Sequence, residues 1–255
     1  MPPPLTAAPP TAGPDDLAFA ELAVTAVVPL AVDVVGYTLA DPQGGALPPF
    51  APGAHVPVRT PAGVVRRYSL CNDPAARDRY EIAVKRDAAG RGGSVSMADR
   101  LRAGDLLPVA APRNEFALHP RARRFLFVAG GIGITPFRSM LRDAARRGDP
   151  RSFTLLYGNR TPQATAWYAE WDALAARLPR LAVVHCMSEP AAAVPPWTGE
   201  TGFVDEKLVA RHVADPSAPV WYVVGPPAMT AAVRDVLANL GVDDAAVRVE
   251  DFAGY

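Results

Sequence analysis

Hydrophobic and polar positions follow one rhythm up to about residue 120 of this chain and a different one beyond it. Before that point, short stretches at 24–28, 32–39, 55–59, 64–71 and 80–86 are rich in Val, Ile and Tyr and bounded by Pro-Gly, Asp-Pro and Gly-Gly. Runs of this length and composition, punctuated by turn residues, predict antiparallel strands closing a small barrel. Residues 94–101 read as one or two helical turns, with Ser94 as N-cap after Gly92-Gly93.

Beyond Pro120 the apolar runs become continuous, at 125–129, 153–157, 181–186, 220–224 and 247–252. Between them lie helix-period stretches at 134–147, 164–177, 204–212 and 228–240. Strand and helix in turn predict a parallel sheet covered on both faces. The expected fold class is therefore a β barrel plus α/β, with a Pro/Ala-rich disordered tail at 1–16, a barrel domain at 17–120 and an α/β domain at 121–255.

Composition narrows the function. The 26 basic and 26 acidic residues among 255 cancel, so nothing global favours nucleic acid or an anionic membrane. No run reaches the roughly 20 apolar residues of a membrane span, and the first residues lack the basic start and apolar core of a secretory signal. Cys71 and Cys186 are the 2 cysteines, too few for a secreted disulfide framework and suited to a reducing cytoplasm. They also exclude a four-thiolate iron-sulfur cluster within this chain. The 4 histidines, at 55, 119, 185 and 212, have no metal-like partner at helical spacing and are expected to be satisfied structural residues, with no metal site. Arginines 138, 142 and 146 recur along one helix face, expected to be solvated, with docking of an acidic redox partner as the alternative.

Three groups of residues carry chemistry. Arg66-Arg67-Tyr68-Ser69-Leu70 sets a cation, an aromatic face and a hydroxyl side by side. In a strand Arg66 and Tyr68 share a face while Ser69 turns aside. That set suits a flat, phosphate-bearing redox ring, and is equally compatible with an ordinary half-buried strand with snorkelling arginines. Lys85-Arg86 followed by Gly90-Arg91-Gly92-Gly93-Ser94 reads either as an anion-binding nest completing a phosphate site with Arg66, or as a plain surface loop. Gly130-Gly131-Ile132-Gly133-Ile134-Thr135-Pro136 joins a strand to a helix, where free amides and the helix dipole favour a pyrophosphate. Pro136 stands where the third glycine of the common dinucleotide fingerprint would be, and the next strand ends in Asn159-Arg160 without an acidic residue for a ribose diol. Gly225-Pro226 repeats the strand-to-helix turn, and in an open parallel sheet both turns face one crevice.

Arg66-x-Tyr68-Ser69-Leu70-x-Asn72-Asp73-Pro74, Gly92-Gly93-Ser94, Gly130-Gly131-Ile132-Gly133-Ile134-Thr135-Pro136, Gly225-Pro226-x-x-Met229 and Glu250-x-Phe252 occur in this order over roughly residues 20–252. The ordered set resembles the ferredoxin-NADP reductase superfamily, specifically its phthalate dioxygenase reductase branch. The resemblance implies that Arg66 binds a flavin phosphate, that Tyr68 stacks on the isoalloxazine, and that Ser69 hydrogen-bonds near its N5. Gly93 and Ser94 would close the phosphate site, to which the loop reading adds Lys85 and Gly92. Gly131, Gly133 and Thr135 would hold the pyridine nucleotide, with Arg160 near its adenosine end. Gly225 and Pro226 would border the nicotinamide, and Phe252 would cover the flavin until nicotinamide displaces it. Ser69 and Phe252 are thus the expected catalytic pair.

The implied cofactor is FMN rather than FAD, with NADH preferred to NADPH as co-substrate. The implied activity is an NAD(P)H-dependent reductase passing electrons to a separate iron-sulfur protein, Rieske oxygenase or haem protein. A non-catalytic electron-transfer or regulatory subunit and a free flavin reductase are the alternatives. This chain departs from relatives in carrying Val224 where they often have a cysteine, and in ending at Tyr255 where they usually continue into an iron-sulfur domain. Either its electrons pass to a separate carrier or it is one part of a longer polypeptide.

Overall fold

A computed structural model describes residues 17–252 of the chain. The expected tail at 1–16 lies outside the described residues. The first half comprises β1 (Phe19–Ala31), β2 (Val34–Ala40), β3 (His55–Arg59), β4 (Val65–Ser69), β5 (Tyr80–Lys85), α1 (Gly93–Arg100) and β6 (Leu106–Ala110). These strands form one six-stranded antiparallel sheet in the order β4-β3-β6-β1-β2-β5. The Cys71 amide donates to the Glu81 carbonyl at 2.9 Å, tying the end of β4 to β5 and curling the sheet toward closure. Inward residues Val24, Leu39, Val56, Val58, Ile82 and Val109 alternate with outward ones and are almost wholly buried.

The second half comprises β7 (Arg124–Gly130), α2 (Thr135–Arg147), β8 (Ser152–Asn159), α3 (Glu170–Arg177), β9 (Leu181–Met187), β10 (Glu200–Thr201), α4 (Glu206–His212), β11 (Val220–Gly225), α5 (Pro227–Asn239) and β12 (Val247–Asp251). Its strands pair in parallel in the order β10-β9-β8-β7-β11-β12. Burial on both faces explains the continuous apolar runs: Phe125 and Phe127 pack on one side of β7, Leu126 and Val128 on the other. Helix α2 buries Phe137, Met140, Leu141 and Ala144, one stripe at helical spacing, and stops at Gly148 in the left-handed region (φ 60°).

The rhythm placed the elements well and their ends less well. Ser94 is not the cap of α1: Gly92 occupies that position at φ 83°, and the Ser94 hydroxyl instead accepts from the Asp87 amide at 3.1 Å. The helix expected at 164–177 is interrupted at Trp167, whose φ is 54°, so regular helix begins only at Glu170. β6 and the two-residue β10 had no distinct signal, being short and split by Pro108 in one case.

The arginine stripe of α2 is only partly solvated, with Arg146 exposed, Arg142 half-buried and Arg138 buried. Arg138 is 4% exposed and reaches across to the barrel, donating to Glu81 Oε2 at 2.8 Å and the Cys71 carbonyl at 2.9 Å, and to Glu170 Oε2 at 2.9 Å on its own side. Its guanidinium lies 4.2 Å from the Trp167 ring centroid. Arg142 donates to Glu170 Oε1 at 2.6 Å, and Arg146 pairs with Asp73 of the barrel at 3.0 Å. One helix face thus clamps the two halves. Phe116 strengthens the joint, crossing from the connecting segment to pack edge-on against Tyr222 at 5.2 Å.

Candidate functional site

The two sheets meet at a cleft of about 990 Å³. From the barrel side Arg66, Tyr68, Ser69, Lys85 and Ser94 line it. From the α/β side come Gly131, Thr135, Arg160, Pro226 and Phe252. The remaining four expected residues sit just behind the wall. A Cβ on Gly93 would approach Arg66 Nε to 3.2 Å, so this glycine lets the arginine lie against the start of α1, beside Gly92. A Cβ on Gly133 would lie 2.3 Å from the Val224 carbonyl oxygen, so Gly133 brings the turn after β7 down onto β11. Gly225 accepts from the Phe252 amide at 2.8 Å, fixing where the chain leaves β12.

Strand β4 presents its side chains as an extended segment requires. Arg66 and Tyr68 are half-buried on one face, and Ser69 is 6% exposed beside the cleft. Arg66 Nη1 donates to the Val65 carbonyl at 2.8 Å, but its Nε is buried with no partner, as are the Tyr68 hydroxyl and His55 Nε2. Burial pushes the Tyr68 hydroxyl pKa up, keeping it a neutral donor. Three unpartnered polar atoms around one cleft are costly unless a ligand satisfies them, and they fit a polar, phosphate-bearing ring system. Opposite, the Thr135 hydroxyl donates to the Ile132 carbonyl at 3.1 Å, bracing the glycine turn from within.

Among the other lining residues, Arg67 and Glu250 stood in the quoted motifs without an assigned role, while His55 and Glu115 were not picked out as site residues. His55 pairs directly with Ser69 across β3 and β4. Burial first, then the Arg67 charge, lowers its pKa and holds the ring neutral. With His185 Nδ1 also buried and unpartnered, the expectation of satisfied histidines fails for these two. Glu250 reaches the cleft from β12, where burial, reinforced by the negative charge of Glu115, pushes its carboxyl pKa up to about 7. Arg67 and Glu115 complete this corner, 3.8 Å apart. An acidic residue at the carboxyl end of a parallel strand was a readable signal for Glu250; the pairing that brings His55 beside Ser69 was not readable, because register is tertiary. Among the described residues no cluster of His, Cys, Asp or Glu is arranged to hold a metal ion, and no helix is long and apolar enough to cross a membrane.

An antiparallel barrel-like sheet joined to a parallel α/β half, with a glycine-rich turn facing the barrel across a cleft, is the arrangement of paired flavin- and nicotinamide-binding domains. Residues 127–235 match the oxidoreductase NAD-binding domain family. The chain is 53% identical over 170 residues to the phthalate 4,5-dioxygenase oxygenase reductase subunit of Pseudomonas putida, covering 67% of this chain and 52% of that protein. It is 41% identical over 223 residues to phthalate dioxygenase reductase of Burkholderia cepacia, covering 88% and 65%. The solved structure of a phthalate dioxygenase reductase superposes with a TM-score of 0.75 at 39% identity, covering 92% of this chain and 68% of that one. The chain belongs to the phthalate dioxygenase reductase-like family of the ferredoxin-NADP reductase superfamily, and spans between half and two thirds of the first two relatives' length.

Proposed function

We propose that the protein is an NADH-dependent flavoprotein reductase that carries FMN and delivers electrons to a separate protein of an oxygenase system. The observation that carries this reading is the single cleft where the Arg66-to-Ser69 strand faces the glycine turn, with Arg66 Nε, the Tyr68 hydroxyl and His55 Nε2 unpartnered beside it. The barrel at 17–120 would hold the flavin and the α/β domain at 121–255 the nucleotide.

Arg66, Lys85, Ser94 and the amides of Gly92 and Gly93 would bind the flavin phosphate at the start of α1. A terminal phosphate there suits FMN. Tyr68 would supply a stacking face, and Ser69 a hydrogen bond on the side open to the second domain. The turn formed by Gly131, Gly133 and Thr135 would take the pyrophosphate, with Arg160 toward the adenosine. Gly225 and Pro226 would border the nicotinamide, and Phe252 would shield the ring until it is displaced. When bound, the flavin accepts electrons in pairs from the nicotinamide and yields them singly, chemistry that belongs to the cofactor. The chain's own residues contribute position, exclusion of water and a field set by Arg66, Arg67, Glu115 and Glu250.

The relatives' names, reductases of phthalate dioxygenase systems, favour an iron-sulfur protein or Rieske oxygenase as acceptor, with a haem protein as the further candidate. The 2 cysteines, both buried and free, suit a cytoplasmic setting. The test is purification. A yellow protein whose FMN survives gel filtration and bleaches anaerobically with NADH is expected, with NADPH slower at equal concentration. A colourless protein that takes up no FMN refutes the reading.

A further inference from the structure

Sulfur is unevenly protected in this molecule. Met97, Met140 and Met187 are at most 1% exposed. Cys71 and Cys186 are buried too, and burial first of all pushes their thiol pKa values up to about 12 and about 11. Thiols held this way are not thiolates at neutral pH and are poor targets for oxidants. Met229 differs, being half-buried and part of the cleft wall. Among the described residues it is the one sulfur that lines the cleft.

Its place there is between the two glycine turns. A Cβ on Gly130 would lie 2.2 Å from the Met229 sulfur, and one on Gly225 would lie 3.0 Å from both the sulfur and the terminal methyl. The thioether therefore rests directly on both glycines and bridges the turn after β7 to the turn after β11. The helix start beneath it is fixed, since the Met229 and Thr230 amides donate to the Pro226 carbonyl at 2.9 and 3.1 Å. With glycine backbone on one side and the apolar core on another, the open side of this sulfur is the cleft.

We propose that Met229 is a redox-modification site, at which hydrogen peroxide forms the sulfoxide and so lowers the affinity of the cleft for its nucleotide. The proposal rests on the reading that the cleft takes a pyridine dinucleotide beside a flavin. In the step itself the sulfur lone pair attacks one peroxide oxygen, an S–O bond forms as the O–O bond breaks, and water leaves. Sulfur is oxidised by an electron pair and the peroxide is reduced by the same pair. Peroxide is what dioxygen becomes when it takes an electron pair and two protons from a flavin reductase deprived of its acceptor. A sulfoxide oxygen only accepts hydrogen bonds. Beside the free amides of the glycine turn it competes for the donors that a pyrophosphate needs, and it sets partial negative charge where that anion would sit. Uncoupled turnover would thus slow itself, and sulfoxide reductases, one for each epimer, would restore it.

The test treats the flavin-loaded protein with millimolar hydrogen peroxide and follows each methionine by peptide mass spectrometry. Met229 should gain an oxygen about tenfold faster than Met97, Met140 and Met187, as oxidation that tracks exposure requires. By titration calorimetry the treated protein should bind NAD+ about tenfold more weakly, the size of effect that a polar group forced into an unsatisfied contact produces. With ferricyanide as acceptor, its KM for NADH should rise to match at unchanged kcat. Methionine sulfoxide reductases A and B together should reverse both changes. Met229→Leu has no sulfur to oxidise, so its NAD+ affinity should be the same before and after treatment, whatever its starting value. Met229 oxidised no faster than the buried methionines, or an NAD+ affinity unchanged by full oxidation of Met229, overturns the proposal. So does an equal peroxide-induced loss in Met229→Leu, which would place the damage elsewhere. Parent protein that neither binds NAD+ nor oxidises NADH before any treatment overturns the reductase reading, and the switch with it.

Discussion

At the scale of single residues, Arg66 and Glu250 are in opposite electrostatic predicaments. Arg66 keeps a buried Nε without a partner, so an anion is what it lacks. A charge-assisted hydrogen bond contributes about 1.5–3 kcal/mol, so Arg66→Ala should weaken FMN binding roughly 10- to 100-fold in a fluorescence-quenching titration. Arg66→Lys should fall between, keeping the charge and losing the planar fork. Glu250 has its carboxyl pKa pushed from 4.5 to about 7 by burial, with Glu115 adding to it. Between those values the unfolded chain releases this proton while the folded protein still holds it. Stability from this group is therefore full below pH 4.5 and declines as pH rises toward 7. The loss is about 3 kcal/mol, the equivalent of the shift. In flavin-free protein, Glu250→Gln should remove it, the urea midpoint of the variant gaining on the parent between those pH values.

At the scale of elements, the face of α2 matters most. Arg138 is buried between Glu81 and Glu170, and burial, which alone would raise the Glu81 pKa, is outweighed by the hydrogen bond and charge of Arg138, so Glu81 stays ionised. Removing one member of a buried ionic group leaves the others uncompensated. Arg138→Met should cost about 3–5 kcal/mol by urea unfolding. Arg146→Ala, at a more exposed pair, should cost under about 1 kcal/mol. That contrast also shows what the sequence could and could not tell. The spacing of 138, 142 and 146 was legible as one face, yet its partners Asp73, Glu81 and Glu170 come from two distant segments. Helical periodicity says which side chains travel together and nothing about what they meet. The strand of Arg66, Tyr68 and Ser69 was legible because alternation alone fixes its faces, whereas Trp167 broke a predicted helix through a backbone angle that composition does not encode.

At the scale of the whole molecule, the barrel and the α/β half each contribute one wall of the cleft, so the proposed reaction needs both. With 2 cysteines the 255-residue chain cannot itself hold a four-thiolate cluster. NADH-dependent reduction of ferricyanide should therefore proceed with this chain alone, while cytochrome c reduction should rise strongly only when a plant-type iron-sulfur protein is added. Stopped-flow comparison of the two acceptors checks this. Ordered motifs made this architecture readable over most of the chain. How His55, Arg67, Glu115 and Glu250 come to share one corner was not readable, since they lie on four segments that only the barrel-like sheet and the last parallel strand bring together.

The arginine face of α2 also bears on interchange of parts. Two-domain proteins of this family invite chimeras, one protein's barrel half grafted onto another's α/β half. Here a graft that replaced the barrel without keeping acids at the positions of Asp73 and Glu81 would strand a buried guanidinium at the new joint. The unit of exchange is therefore the barrel together with its two acids, and a swap that ignores them is expected to yield halves that fold but do not dock.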